Sequence, residues 1–402
     1  MDKQKRVLLL GGARQQIPSI LKAKEMGCYT ITCDYMPENP GHCLADEYHN
    51  ESTTDKEAIL KLAQKLNIDG IVCYASDPAA VTAAYVASKL GLPTNPYEAV
   101  EILTNKDLFR AFLAEHGFHT PFAKGYMLAA DFLKETGLFH FPVMVKPVDS
   151  SGSKGISLIT KPEEIEDKVR YALEFSRNKR FVIEEYVEKY GYQIAGDGFS
   201  VDGRLVFRCF GNDHFDKNAI NPYVPMAASF PYVMPKRVHD KIHAEIQRLF
   251  DLLHMNSGAY NFDIRIDENE NVYLMEVGPR NGGNYIPQVT KYITGVDMVE
   301  YTIKAALGED LGMLSMAEPV GYWSYFAVYS HHGGILRAIE IKDEVRENNI
   351  KESFMNYEPG EQVPAYTGSN GTIGILIMHF DSQEEMLNRM DHPEEWIKVQ
   401  TL

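Results

Sequence analysis

Cysteine is scarce in this chain and is not arranged for chemistry. The five cysteines, Cys28, Cys33, Cys43, Cys73 and Cys209, are odd in number, four of them fall in the first quarter, and none forms a Cys-x-x-Cys. That pattern points away from a disulfide framework or a zinc site and towards small core residues in a reducing compartment. Long apolar runs are missing too. Charges at Asp2, Lys3, Lys5 and Arg6 are followed by only a four-residue apolar run, and no stretch approaches the roughly 18 residues of a membrane span, so a cytoplasmic protein is expected. Clustered positive charge is the third absence. With 40 basic against 56 acidic residues the net charge is −16, and no Lys/Arg-rich run occurs, so no nucleic acid and no membrane is expected as partner. Any phosphate must therefore be met by local cations. Finally, Gly-Gly-Ala-Arg-Gln-Gln after the first apolar run is not Gly-x-Gly-x-x-Gly, which disfavours a dinucleotide-dependent dehydrogenase.

What is present is an ordinary globular composition, 45% apolar and 24% charged over 402 residues, enough for two to three domains. Strand patterns at Val7–Leu10, Tyr29–Cys33 and Ile71–Tyr74 alternate with helical ones at about Ser19–Met26 and from a Thr54-Asp-Lys-Glu57 capping box to about Leu66, with Pro78 placed for a first helical turn. This alternation predicts a small parallel sheet with helices on its faces, whose ligands bind beyond the carboxyl ends of the strands. Gly11, Gly12, Gln15, Asp34, Ser76 and Asp77 fall at those ends and are candidates for the second substrate, although tight βα turns with satisfied caps account for the same residues.

The most informative stretch runs from Tyr260 to Asn284. Tyr260, Phe262, Ile264 and Ile266 alternate with Asn261, Asp263 and Arg265, the period of a half-buried strand, and a polar turn and a second strand follow. If Ile266 pairs with Tyr273, the same register sets Asp263 opposite Glu276. Two like charges about 5 Å apart on one face repel and need a cation between them. Magnesium, with manganese as an alternative, takes one or two carboxylates and completes its shell with water and phosphate oxygens. The competing reading is a solvated face. Just beyond lies Gly278-Pro-Arg280-Asn281-Gly-Gly-Asn284, where glycines let backbone approach a ligand and Arg280 can grip a phosphate or carboxylate through two parallel bonds.

Upstream, Phe141-Pro-Val-Met-Val-Lys146-Pro147 is a strand closing on a lysine, followed at once by Asp149-Ser-Ser151-Gly152-Ser-Lys154-Gly155 and a strand from Ile156 to Ile159. Such a loop can fold backbone N–H groups and ammonium charges over a polyphosphate. The strand Phe181-Val-Ile-Glu184-Glu185-Tyr-Val187 comes next and offers backbone groups suited to an adenine edge. The stretch 192–210 reads as two strands about Asp202-Gly203, and the polar, Pro-interrupted stretch 212–232 as a mobile segment over a site. A long helix from about Lys236 to His254 and another at about Met298–Leu307 complete this region. Beyond Pro319, strands at Tyr322–Tyr329, Ile335–Ile341 and Thr372–Met378 suggest a small β-rich cap. His331-His332-Gly333-Gly334 reads as a hairpin turn in preference to a metal site.

Lys106, Lys146, the Ser/Gly loop, Glu184-Glu-Tyr-Val187, Asp263, Glu276 and Arg280, in this order, resemble the ATP-grasp superfamily over about residues 5–310. The resemblance implies an α/β and α+β chain in three parts. These are an N-terminal parallel-sheet βα domain (1–104), an ATP-grasp domain (105–315, with a nucleotide-closing subdomain at about 120–188) and a C-terminal β-rich cap (316–402). It further implies ATP as cofactor, with Lys106 and Lys146 near the phosphates and Ser151, Gly152, Lys154 and Gly155 in the closing loop. Glu185 and Val187 would present backbone to adenine, Glu184 would face its amino group, Gln193 would lie at the ribose, and Asp263 and Glu276 would hold magnesium. Arg280 and Lys154 become the candidate catalytic cations, and Asn281 joins the substrate group. The implied chemistry is activation of a carboxylate as an acylphosphate for attack by an amine, so the partners are small-molecule carboxylate and amine substrates, with a homodimer among the assemblies allowed. The plan resembles the purine-biosynthesis ligases, the carbamoyl-phosphate synthase large chain, biotin carboxylase and the amino-acid ligases. No extended biotinyl or glutaminase module is seen, and carbamoyl-phosphate synthase calls for a duplicated chain. Two positions depart from the pattern. Gln193 stands where many members carry a ribose-binding Glu, and Gly278 where many carry the Asn of Glu-x-Asn. They motivate the rival expectation of a catalytically silent ATP-binding sensor or partner protein.

Overall fold

The computed structural model describes residues 4–402, so Asp2 and Lys3 lie outside it. At the N-terminus, Arg6–Leu10, Tyr29–Cys33, Glu47–His49 and Gly70–Cys73 form a four-stranded parallel sheet with Arg6–Leu10 between Tyr29–Cys33 and Gly70–Cys73. Its apolar strand residues are buried beneath helices Ile17–Glu25, Lys56–Leu66 and Asp77–Leu90. The second of these begins one residue later than the capping-box reading places it. Asp55, not Thr54, accepts the Ala58 N–H, while Glu57 instead takes the Tyr85 hydroxyl.

Residues 123–185 build a separate antiparallel sheet, ordered Ala123–Tyr126, Phe181–Glu185, Val143–Pro147 and Ser157–Ile159. It packs on helices Ala129–Glu135 and Ile165–Glu174 through a core of its own. The central sheet has eight strands, and its order explains how distant residues meet. Val272–Gly278 lies beside Gly258–Ile266, then Gln193–Val201, Arg204–Phe215, Pro225–Phe230, Tyr322–Tyr329, Thr372–Phe380 and Ile350–Met355. The strands past Pro319 thus extend the sheet that carries the carboxylate hairpin, and the remaining C-terminal strands form a three-stranded sheet of their own. Helices Tyr97–Thr104 and Ile286–Thr294 were not anticipated, although the second buries Ile286, Val289, Thr290 and Ile293 along one face.

Two expectations are corrected. Residues 212–232 are not one mobile segment. Asn212 to Phe215 continue a strand, Pro225–Phe230 is another, and the residues between them form a loop. The polarity that suggested mobility serves buried bonding, since the Asn212 amide donates to the Ser229 and Pro231 carbonyls and accepts from Val233 N–H. In the hairpin, Ile266 pairs with Val272, not Tyr273. A β-bulge between Asp263 and Ile264 then inserts Met275 as an extra residue and returns Asp263 to a position opposite Glu276. No helix among the described residues is long and apolar enough to cross a membrane.

Candidate active site

A cavity of about 740 Å³ lies where the N-terminal sheet, the 123–185 sheet and the central sheet converge. Its floor is the bulged hairpin, with the apolar residues Phe262, Ile264 and Ile266 turned into the core and Asp263, Met275 and Glu276 turned to the cavity. Burial, and then the neighbouring Glu276 charge, push the Asp263 carboxyl up to about 7. Lys106 partly offsets this crowding. Its ammonium lies 3.1 Å from Glu276 and donates to the Ser150 carbonyl at 2.7 Å, tying the floor to the loop above.

Lys146 leaves its strand towards the same space and is backed by Glu184, which also accepts from Arg110 Nε at 2.9 Å. Arg110 in turn donates to the Met275 carbonyl at 2.9 Å, anchoring the bulge. Burial alone would raise the Glu184 carboxyl, but Arg110 and Lys146 hold it down to about 2. Glu184 is therefore spent on positioning Lys146, does not line the cavity, and is not free to face an adenine amino group. Lys154 reaches the cavity without a carboxylate partner, and burial, followed by the Arg177 charge, lowers its ammonium pKa. An unpaired, desolvated cation of this kind is stabilised by an incoming anion.

The loop itself is docked. Ser369 N–H donates to the Gly152 carbonyl at 3.0 Å, Asn221 bridges the Ser153 and Thr367 carbonyls at 2.9 Å each, and Ser153 Oγ donates to the Tyr223 carbonyl at 2.9 Å. Gly152, at φ +67°, sits where a Cβ would fall 2.0 Å from Ser369 Oγ.

Arg280 grips a carboxylate through two parallel bonds, but the carboxylate is the protein's own. Nε and Nη2 donate to Asp77 at 2.8 and 2.7 Å, and Nη1 donates to the Asn281 carbonyl at 3.1 Å. The pair fastens the N-terminal sheet to the hairpin. Burial opposes ionisation of both groups, yet their mutual attraction lowers the Asp77 pKa and raises that of Arg280.

Of the residues singled out in the sequence, the cavity brings together Gly11, Gln15, Asp34, Ser76, Asp77, Lys106, Lys146, Ser151, Gly152, Lys154, Gln193, Asp263, Glu276 and Arg280. It leaves out five besides Glu184. Gly12 packs against the His42 ring, and Gly155 against Phe175. Glu185 binds His140 at 2.8 Å, and the Val187 carbonyl accepts from Arg265 Nη1 at 2.8 Å. Asn281 is fully buried and accepts from the Thr302 hydroxyl at 2.9 Å. Sequence reasoning missed Asp213, Arg265, Tyr35, Met36, Asn39 and the pair Ser369–Asn370, all of which line the cavity. Asp213 was concealed because it stands two strands away from Asp263. Burial, and then Asp263, raise its carboxyl well above the usual range, and it is held by Gln193 Nε2 at 3.0 Å while Arg265 Nε donates to Gln193 Oε1 at 2.9 Å.

Elsewhere Ser229, His214 and Asp391 are aligned at 2.8 and 2.7 Å, but Ser229 has no exposed surface, so this row fastens helix Gln383–Asp391 to the sheet and attacks nothing. His331 binds Asp216, in keeping with a turn.

Residues 105–314 match the family described as carbamoyl-phosphate synthase L chain, ATP binding domain. The chain belongs to that ATP-grasp family. Among curated relatives, this ATP-grasp chain is 22% identical over 323 residues to the carbamoyl phosphate synthase large chain, C-terminal section, of Aquifex aeolicus. The match covers 76% of this chain and 59% of that relative, so the chain spans less than two thirds of the relative's length. Among solved structures it is similar to the L-amino acid ligase of Bacillus licheniformis, with TM-score 0.81 and 20% identity, and to the phosphoribosylglycinamide synthetase of Anaerococcus prevotii, with TM-score 0.76 and 21% identity. Both matches cover 100% of each chain. At such identities the likeness carries the fold.

Proposed function

We propose that this ATP-grasp chain is an ATP- and magnesium-dependent ligase that activates a carboxylate as an acylphosphate for attack by an amine. The observation that carries the reading is the opposition of Asp263 and Glu276 on the floor of a cavity into which Lys106, Lys146, Lys154 and Arg280 also project. The activities of the similar proteins, an L-amino acid ligase and a phosphoribosylglycinamide synthetase, support it.

The donor set fits the metal. Two crowded carboxylates, one of them raised in pKa by burial and by the other's charge, suit magnesium, which keeps water and phosphate oxygens for its other positions. When bound, the metal supplies charge neutralisation at the phosphates.

Lys146, held in place by Glu184, and Lys154, with no carboxylate of its own, would bind the phosphoryl oxygens and stabilise the charge that builds during transfer. The substrate carboxylate oxygen attacks the γ-phosphorus and ADP leaves. The amine then attacks the acyl carbon, loses a proton and expels phosphate. Gln193, fixed between Asp213 and Arg265, leaves the acceptor role towards the ribose to the Asp213 side of that network.

A nucleotide-binding protein without turnover is the second reading, and the closed Arg280–Asp77 pair favours it, since the fork expected to hold a substrate anion is already filled. Incubation with ATP, magnesium and a panel of carboxylates and amines separates the two. Substrate-dependent ADP and phosphate support the ligase, binding without ADP release across the panel supports the silent protein, and AMP with pyrophosphate removes the acylphosphate route.

A further inference from the structure

The cavity wall supplied by the N-terminal sheet is unlike the nucleotide end. From that wall come Gln15, Asp34, Tyr35, Met36, Asn39 and Thr53, together with the turn Ala75 to Pro78, and no Lys, Arg or His is among them. Arg14, the cation nearest in sequence, is exposed and does not line the cavity.

The two βα turns that could seat a phosphate at a helix N-terminus are both filled by the chain itself. In the first, the Gln16 side chain accepts the Ala13 N–H at 3.0 Å, donates to the Leu10 and Tyr74 carbonyls, and occupies the space over Gly11, where a Cβ would fall 2.1 Å from its amide. In the second, the helix opens with Asp77 and Pro78, an anion followed by a residue with no N–H, and Asp77 is held by Arg280. The third strand end carries Asp34, whose two oxygens accept the Met36 N–H at 3.0 Å and the Asn39 amide at 2.8 Å. A phosphate here would meet acidic side chains and occupied turns.

The same wall exposes two large apolar side chains, Tyr35 at 63% and Met36 at 47%, turned to the cavity with nothing of the protein over them. The charge balance agrees. Five basic and five acidic side chains line the whole cavity, and all five bases belong to its nucleotide and hairpin side.

Resting on the ligase reading, we infer that the substrate seated against the N-terminal wall is an unphosphorylated amino acid or similar small amine with an apolar or aromatic side chain, and not a phosphorylated sugar derivative. Tyr35 and Met36 receive that side chain, Asp34 and Ser76 offer acceptors to its amino group, and the wall rejects a phosphate for want of a cation or a free helix end.

The test is calorimetry on the full chain saturated with magnesium and a non-hydrolysable ATP analogue, titrated separately with L-phenylalanine, L-methionine and glucosamine 6-phosphate. At least one amino acid is expected to bind saturably and the phosphorylated amine not at all. Tyr35→Ala should weaken the amino acid about fivefold, the size of one aromatic contact, and leave affinity for the nucleotide analogue unchanged. Tighter binding of glucosamine 6-phosphate, no binding of either amino acid, or a Tyr35→Ala variant with unaltered amino-acid affinity would overturn the inference. The ligase reading fails separately, by amino-acid binding without ADP release, in which case the assignment of this wall stands as that of a binding site.

Discussion

Replacing Asp263 by Asn should stabilise the nucleotide-free protein and remove its response to magnesium, because the wild-type carboxylate is held where its charge is unwelcome. The gap between an ordinary aspartate near 4 and about 7 in the folded chain corresponds to roughly 4 kcal/mol of unfavourable interaction once the group is ionised. Water in the cavity screens part of this, leaving about 1–2 kcal/mol. The sign follows from proton binding. Between pH 4 and 7 the folded chain holds a proton that the unfolded chain has released, so this group's contribution to stability is full below about pH 4 and is lost as pH rises through 7. Asparagine carries no such proton. The difference in melting temperature between Asp263→Asn and wild type should therefore be near zero at pH 4 and reach about +2 to +4 °C at pH 8. Added magnesium and ATP should raise the melting temperature of wild type at pH 8 and have a much smaller effect on the variant. Thermal unfolding monitored by circular dichroism at the two pH values decides the matter. A variant less stable than wild type at pH 8, or a difference independent of pH, would refute the account of a crowded carboxylate pair.

Glu276→Gln should abolish turnover with the fold intact, because it removes one anionic oxygen at unchanged size; normal ADP release at limiting magnesium would place the metal elsewhere. Arg110→Ala leaves the buried Glu184 charge supported by Lys146 alone and withdraws the donor from the Met275 carbonyl, so denaturant unfolding should show a loss of about 3–5 kcal/mol. A loss under 1 kcal/mol would mean that Glu184 is neutral or hydrated. Gly152→Ala puts a side chain at positive φ against Ser369, at a backbone cost of about 1 kcal/mol or more, and should loosen the loop and raise the KM for ATP several-fold. Amide exchange across residues 149–155 should be faster in that variant and should slow in wild type when ATP and magnesium are added; an unaltered KM would make the loop a structural hairpin only.

The legible parts of this chain were those encoded by local period. Helix Met298–Leu307 and strand Tyr322–Tyr329 begin and end at the residues their apolar patterns indicate. The opposition of Asp263 and Glu276 was also readable, although the simple register that led to it is wrong at Ile266, and it is the extra residue Met275 that restores the pair. Alternation reports which face a residue takes, and a bulge changes register without changing the face of the residues beyond it. What stayed hidden was non-local. Glu184 looked like a ligand-facing carboxylate because nothing near it in sequence announces Arg110, 74 positions upstream. Asp213 lies in a stretch that reads as a polar loop, and only sheet order sets it across from Asp263. Arg280 was read as open to a ligand because its partner, Asp77, belongs to the N-terminal sheet. Ser369 and Asn370 come from the far end of the chain, and only the folded arrangement brings them against the loop at Gly152.

The central claim is that a carboxylate oxygen attacks the terminal phosphate of ATP in the cavity between the three sheets, and transfer of labelled oxygen tests it most directly. With the amino acid or other carboxylate found to support ADP release supplied with heavy oxygen in both carboxyl positions, mass spectrometry of the products should find one labelled oxygen in each inorganic phosphate formed, with ADP unlabelled. Phosphate free of label, or label appearing in AMP, would contradict the account.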